Sequence, residues 1–141
     1  VKAFGPTPAE RRAAERRRKD ALKSGLARAE SLVEEHHVLR ALEVYRQLDA
    51  QYPEERAVLA GLSRIAAQTK WYGEALKAAE RWVAIDASPD ARLHLARTLR
   101  RVGKVEESIS TLRQVLATDP SQREARELLR RYGGDHVAMR P

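Results

Sequence analysis

The chain has no cysteine, a single methionine, a single phenylalanine and only 5% aromatic residues in 141 positions. Without cysteine there can be no disulfide, no thiolate nucleophile and no cysteine-type zinc site, so the core has to hold by packing alone. No apolar run approaches the roughly 20 residues of a membrane-spanning helix, and the N-terminus lacks the apolar core of a signal peptide. The chain as given is therefore expected to be soluble. It begins at Val1, as an excised or processed piece of a longer protein would, and nothing in it fixes a compartment.

Signatures of chemistry are missing too. There is no glycine-rich phosphate loop, no Gly-x-Ser-x-Gly and no His-Glu-x-x-His. His36 and His37 are adjacent, and neighbours on a helix point about 100° apart, so they cannot share a metal there. His136 has only Asp135 beside it as a second ligand type. We expect no catalysis, no metal and no cofactor.

What is present is charge, at 33% of residues, with a formal net charge of +7. The excess is not evenly spread. Residues 1–21 carry seven basic groups against three acids, and residues 122–141 carry five against three, which leaves the stretch between almost neutral. The first cluster includes Arg11, Arg12, Arg16, Arg17, Arg18 and Lys19. It follows a well-formed helix start: Thr7 as N-cap, Pro8 at the first helical position and Glu10 closing a capping box. A basic N-terminal helical extension is expected over 1–21. Its principal reading is a solvated helix; its alternative is salt-sensitive contact with nucleic acid, an anionic membrane or an acidic protein. No aromatic residue interleaves the cations for base stacking, which argues against nucleic acid.

The middle of the chain repeats. Ala41, Ala75 and Ser108 stand 34 and 33 residues apart, each followed by an aliphatic residue, and upstream Ala29, Ser63 and Ala96 keep the same spacing. Apolar residues recur at helical intervals throughout: Leu22, Leu26, Ala29, Leu32 and Val33; Leu39, Leu42, Tyr45 and Leu48; Leu76, Ala79 and Val83; Ile109, Leu112 and Leu116. Pro53, Gly73, Pro89, Gly103 and Pro120 punctuate them, where an interior proline would cost about 3 kcal/mol. Seven helices fit, the last over Gln122–Tyr132 before Gly133-Gly134.

This period and pattern resemble the tetratricopeptide-repeat family. The first-helix element reads Leu62-Ser63-x-x-Ala66 and Leu95-Ala96-x-x-Leu99. The second-helix element reads Ala41-x-x-x-Tyr45 closing at Pro53, and Ser108-x-x-x-Leu112 closing at Pro120. Three departures stand out: Arg28 precedes Ala29 where leucine is usual, Arg92 replaces a large apolar residue, and Ala87 holds a proline position, with Pro89 two residues late. The resemblance implies an all-α, right-handed superhelix of about three helical hairpins (22–55, 56–88, 89–121), a capping helix over 122–132 and a tail over 133–141.

It further implies a protein-interaction scaffold whose first helices line a concave groove. Shifted by 34 and 33, Glu30, Arg64 and Arg97 form one row, Val33, Ala67 and Arg100 another, and Glu34, Gln68 and Arg101 a third. The rows become basic toward the third repeat, and with His94 nearby they point to an acidic peptide or helix held by guanidinium–carboxylate pairs. The candidate groove is Arg64, Gln68, His94, Arg97, Arg100 and Arg101. The carboxylate clamp of the family's co-chaperones is not matched: its positions hold Leu26, Glu30, Gly61, Asp90 and His94. Self-association through the solenoid ends or the N-terminal helix is the remaining alternative, and any membrane contact would come through a larger assembly. Trp82 is expected in the core; Trp71, in a turn, is a candidate anchor for a partner on the convex side.

Overall fold

In the computed structural model, residues 4–134 are described, and among them there are seven α-helices and no strand. They are α1 (Pro8–Glu34), α2 (Val38–Gln51), α3 (Arg56–Gln68), α4 (Tyr72–Ile85), α5 (Pro89–Arg101), α6 (Val105–Thr118) and α7 (Arg123–Leu129), followed by a π-helical turn over Arg130–Gly134. The chain divides into two compact units, residues 1–53 and 54–141.

The repeat is written into lengths and turns. Helices α3 and α5 have 13 residues, and α2, α4 and α6 have 14. Between the helices of each hairpin lies a turn whose middle residue has positive φ: His36 (63°), Lys70 (69°) and Gly103 (87°). The next residue donates its N–H five residues back, His37 to Leu32, Trp71 to Ala66 and Lys104 to Leu99, at 2.7–2.9 Å. This closes a left-handed C-terminal cap that satisfies carbonyls the helix itself leaves unpaired. Only Gly103 is of the type this φ favours. The period falls from 34 to 33 because the link between α4 and α5 is one residue shorter than the links after α2 and α6. That is also where Ala87 replaces proline. Ser88 caps α5 by accepting from the Ala91 N–H at 3.3 Å, and Pro89 takes the first helical position, where its missing N–H has no consequence.

Within each hairpin the small residues meet 12 positions apart, as Ala29 with Ala41, Ser63 with Ala75 and Ala96 with Ser108, all 0% exposed. Small side chains let two helices approach closely. Where one is serine its buried hydroxyl bonds across the hairpin: Ser63 Oγ donates to the Ala75 carbonyl and Ser108 Oγ to the Ala96 carbonyl, both at 2.7 Å. Each buried polar group is thereby matched, as burial demands.

In the first unit, α1 and α2 form one hairpin. Gly25 sits so close to Leu48 that a Cβ there would fall 2.5 Å from Leu48 Cδ2. The approach of Gly25 to Leu48 and of Arg18 to Tyr52 sets an antiparallel register. The N-terminal half of α1, upstream of Arg18, therefore runs past the end of α2. Helix α1 is unbroken from Pro8 to Glu34, so the basic stretch and the first-repeat helix are one element. Its capping box forms as read from the sequence, Thr7 Oγ1 accepting from the Glu10 N–H at 3.1 Å and Glu10 Oε2 from the Thr7 N–H at 3.2 Å.

In the second unit, α3 and α4 bury Leu59, Ala60 and Trp82 with Ala91 of α5. Leu93 and Ala96 of α5, Leu112 and Val115 of α6, and Ala125 and Leu128 of α7 form a further cluster. One stripe residue departs from expectation: Leu39 is 67% exposed. Its repeat equivalents are Gly73 and Glu106, also exposed, so the position lies on the outer side of each second helix. Arg92 is half-buried, and its covered Nε has no hydrogen-bond partner among the described residues.

Candidate functional site

The second unit gathers its polar side chains along α3 and α5. Trp82, rooted in α4 and 4% exposed, is the fixed point. The Arg64 guanidinium of α3 lies 5.2 Å from its ring centroid, and the His94 imidazole of α5 lies 5.7 Å from it at an angle of 44°. Cation–π attraction holds Arg64 in place while leaving its charge outward.

His94 is held from below. Its Nε2 lies 2.6 Å from Ser63 Oγ, whose one proton is already given to the Ala75 carbonyl. A serine hydroxyl has a single donor, so in this bond His94 Nε2 carries the hydrogen and Nδ1 keeps a lone pair. Burial, together with the positive charges of Arg64 and Arg97, pushes the His94 pKa from 6.5 down to about 4. The ring is neutral near pH 7 and adds no positive charge to the groove. It offers an acceptor instead.

The candidate-groove arginines of α5 already have partners within the chain. Arg97 pairs with the Glu124 carboxylate of α7. Arg100 lies 5.6 Å from the centroid of Tyr132, and Arg101 lies 5.9 Å from that of Tyr72, donating to its hydroxyl at 3.4 Å. Gln68 is exposed at the end of α3. The α5 cations thus splay from α4 to the π turn. Sequence rows alone could not show Glu124, Tyr72 or Tyr132 as their partners, because all three lie in elements outside the row. Ser63 under His94 was legible in part, since it occupies a small-residue position where a hydroxyl is an exception.

The basic cluster of α1 is arranged differently. Arg11, Arg12, Arg16, Arg17, Arg18 and Lys19 are all exposed, and at 100° per residue they point to all sides of the helix. Glu15 and Asp20 lie among them. Arg18 lies 4.9 Å from the Tyr52 ring centroid. Trp71 is 55% exposed at the start of α4. Among the described residues no group of three histidine, aspartate or glutamate side chains could hold a metal ion, and no helix is long and apolar enough to cross a membrane. His136 lies outside the described residues.

Hairpins of paired helices, joined by recurring left-handed turns and locked by small residues, define a helical-repeat protein. Residues 26–92 match the family model for the tetratricopeptide repeat. Over that stretch the chain carries the tetratricopeptide-repeat pattern. Its fold is similar to the first such domain of Spaghetti (RPAP3) bound to an HSP90 peptide, SRMEEVD, with TM-score 0.74, 16% identity, and 82% of this chain and 93% of that one covered. It is similar to the second domain of human RPAP3 in complex with an HSP70 peptide, SGPTIEEVD, with TM-score 0.70, 22% identity, and 77% and 92% covered. A third is the Yersinia enterocolitica type III secretion translocator chaperone SycD, with TM-score 0.71, 19% identity, and 83% and 95% covered. No curated protein matches the sequence.

Proposed function

We propose that this protein is a protein-interaction scaffold whose second unit holds an acidic segment of a partner against α3 and α5. The observation that carries the reading is the fixed triad of Arg64, Trp82 and His94: a cation and a neutral acceptor set on one buried ring. Such prior ordering lowers the entropy lost on binding. Arg64, Arg100 and Arg101 would meet carboxylates, Gln68 and His94 Nδ1 would meet backbone or side-chain donors, and Arg97 would have to exchange Glu124 for the ligand. Two similar domains are described with bound peptides that each carry a Glu-Glu-Val-Asp end, which supports an acidic ligand class. The clamp residues of that recognition are absent at the matching positions, so an internal acidic segment fits better than a C-terminal one.

The test is titration of a labelled Glu/Asp-rich peptide into the full chain, read by fluorescence anisotropy. Arg64→Glu with Arg101→Glu should weaken binding about tenfold or more at unchanged helicity. Glu124→Gln should strengthen it severalfold by freeing Arg97. Equal affinity for a Lys-rich peptide of the same length would sink the proposal. The cations of α1 offer no such prearranged face.

A further inference from the structure

A second surface lies between α6 and α7. It is a groove of ≈ 430 Å³ with an apolar floor and a cationic rim. Ile109 and Leu116 of α6 and Leu129 of α7 make the floor, and Gly133 also lines it. That glycine lets the π turn lie on Ile109, since a Cβ there would stand 3.2 Å from Ile109 Cδ1. Among the described residues, the charged ones lining the groove are Arg113, Arg126 and Arg130, all exposed. No acid is among them. A second hollow on α7, of ≈ 510 Å³, is polar and includes Glu127, so it has neither floor nor uniform charge.

Register says what shape fits. Arg123, the first residue of α7, stands 34 positions after Pro89, the first of α5, so α7 occupies a first-helix place. The earlier first helices α1, α3 and α5 each pack against a second helix that follows them. Among the described residues α7 has none, and its exposed side with that of α6 is the seat such a helix would fill. The floor from Ile109 to Leu116 spans about 10 Å, two helical turns, which suits apolar anchors three or four residues apart.

We propose that this groove docks an amphipathic helix of a partner protein, with an apolar stripe toward Ile109, Leu116 and Leu129 and carboxylates flanking it against Arg113, Arg126 and Arg130. The site is separate from the α3–α5 groove and stands whether or not that reading holds.

The probe is a labelled helical peptide of about four turns, with leucines three and four residues apart and glutamates on both flanks, titrated into the full chain. Binding should weaken at least about tenfold in the Arg113→Glu, Arg126→Glu, Arg130→Glu triple variant. It should be largely kept in the corresponding triple lysine variant and unchanged in Arg64→Glu with Arg101→Glu. Amide shifts at Leu116, Leu129 and Gly133 should move on binding, and those at Arg64 and His94 should not. Equal binding of a peptide with lysine in place of glutamate would overturn the proposal. So would loss of binding in the Arg64/Arg101 variant alone. Concentration-dependent dimerisation that the triple glutamate variant abolishes would assign the groove to a second copy and overturn it as well.

Discussion

The first hairpin and the second unit use the same parts for different ends. In both, small residues 12 apart bring two helices together, and a left-handed turn joins them. In α1–α2 the meeting pair is Ala29 with Ala41 and carries no polar atom. In the second unit each hairpin has one serine in the pair, and at Ser63 the hydroxyl reaches past the hairpin to His94 of α5. The same register position is thus inert packing in one place and a link between successive hairpins in another. The difference teaches that repeat equivalence fixes backbone geometry and leaves chemistry to single substitutions.

The comparison is broken most strongly in the cores. Leu112→Ala empties a 0% exposed site among α5, α6 and α7 and should cost about 2–5 kcal/mol. Leu42→Ala, at 2% exposure in the first hairpin, should cost a similar amount. If the two units unfold separately, urea melts followed by tryptophan fluorescence will register the first substitution and miss the second, since Trp71 and Trp82 both lie in the second unit.

Next comes pH. The unfolded His94 has a pKa near 6.5 and the folded one about 4, so between those values the unfolded chain binds more protons. Stability contributed by the neutral ring is complete above about pH 6.5, declines as pH falls toward 4 and is level below. With Arg64 and Arg97 as the facing charges and solvent reaching part of the ring, the loss should be about 1–2 kcal/mol. Urea midpoints at pH 7 and pH 4.5 check it. His94→Leu should remove this part of the slope, and an unchanged slope would refute the assignment.

A smaller effect separates the turns. Gly103→Ala, at φ 87°, should destabilise by about 1 kcal/mol, whereas Lys70→Gly, at φ 69°, should stabilise by a few tenths to about 1 kcal/mol. Thermal melts with opposite signs would bear this out. Smallest of all is Thr7→Ala. It removes a cap worth about 1 kcal/mol, but the first turns of α1 are exposed, so the loss should show as faster hydrogen exchange over residues 8–17 with little change in global stability.

Much of this was legible beforehand. The 34- and 33-residue spacing recurs in the helices, although the helix of the first hairpin starts at Pro8 and not at 22; the capping box set the start of α1 and Trp82 was placed correctly as buried, because periodicity and caps are local properties. Leu39 was misread because one apolar residue in the first turn extends a stripe without facing the core. The groove residues were chosen by row, which finds neighbours on equivalent helices but not the α7 carboxylate that pairs with Arg97 or the tyrosines under Arg100 and Arg101.

By itself, the sequence determined the helical-repeat family, the number of hairpins and where each turns, since these follow from hydrophobic period, small-residue register and turn chemistry within some 34 residues. Only the tertiary structure decided which charges are already paired, that His94 is a neutral acceptor and that α6 and α7 leave an apolar seat rimmed by arginine. Those depend on distances between helices and on desolvation. Both are set by side chains that meet only after the chain has folded.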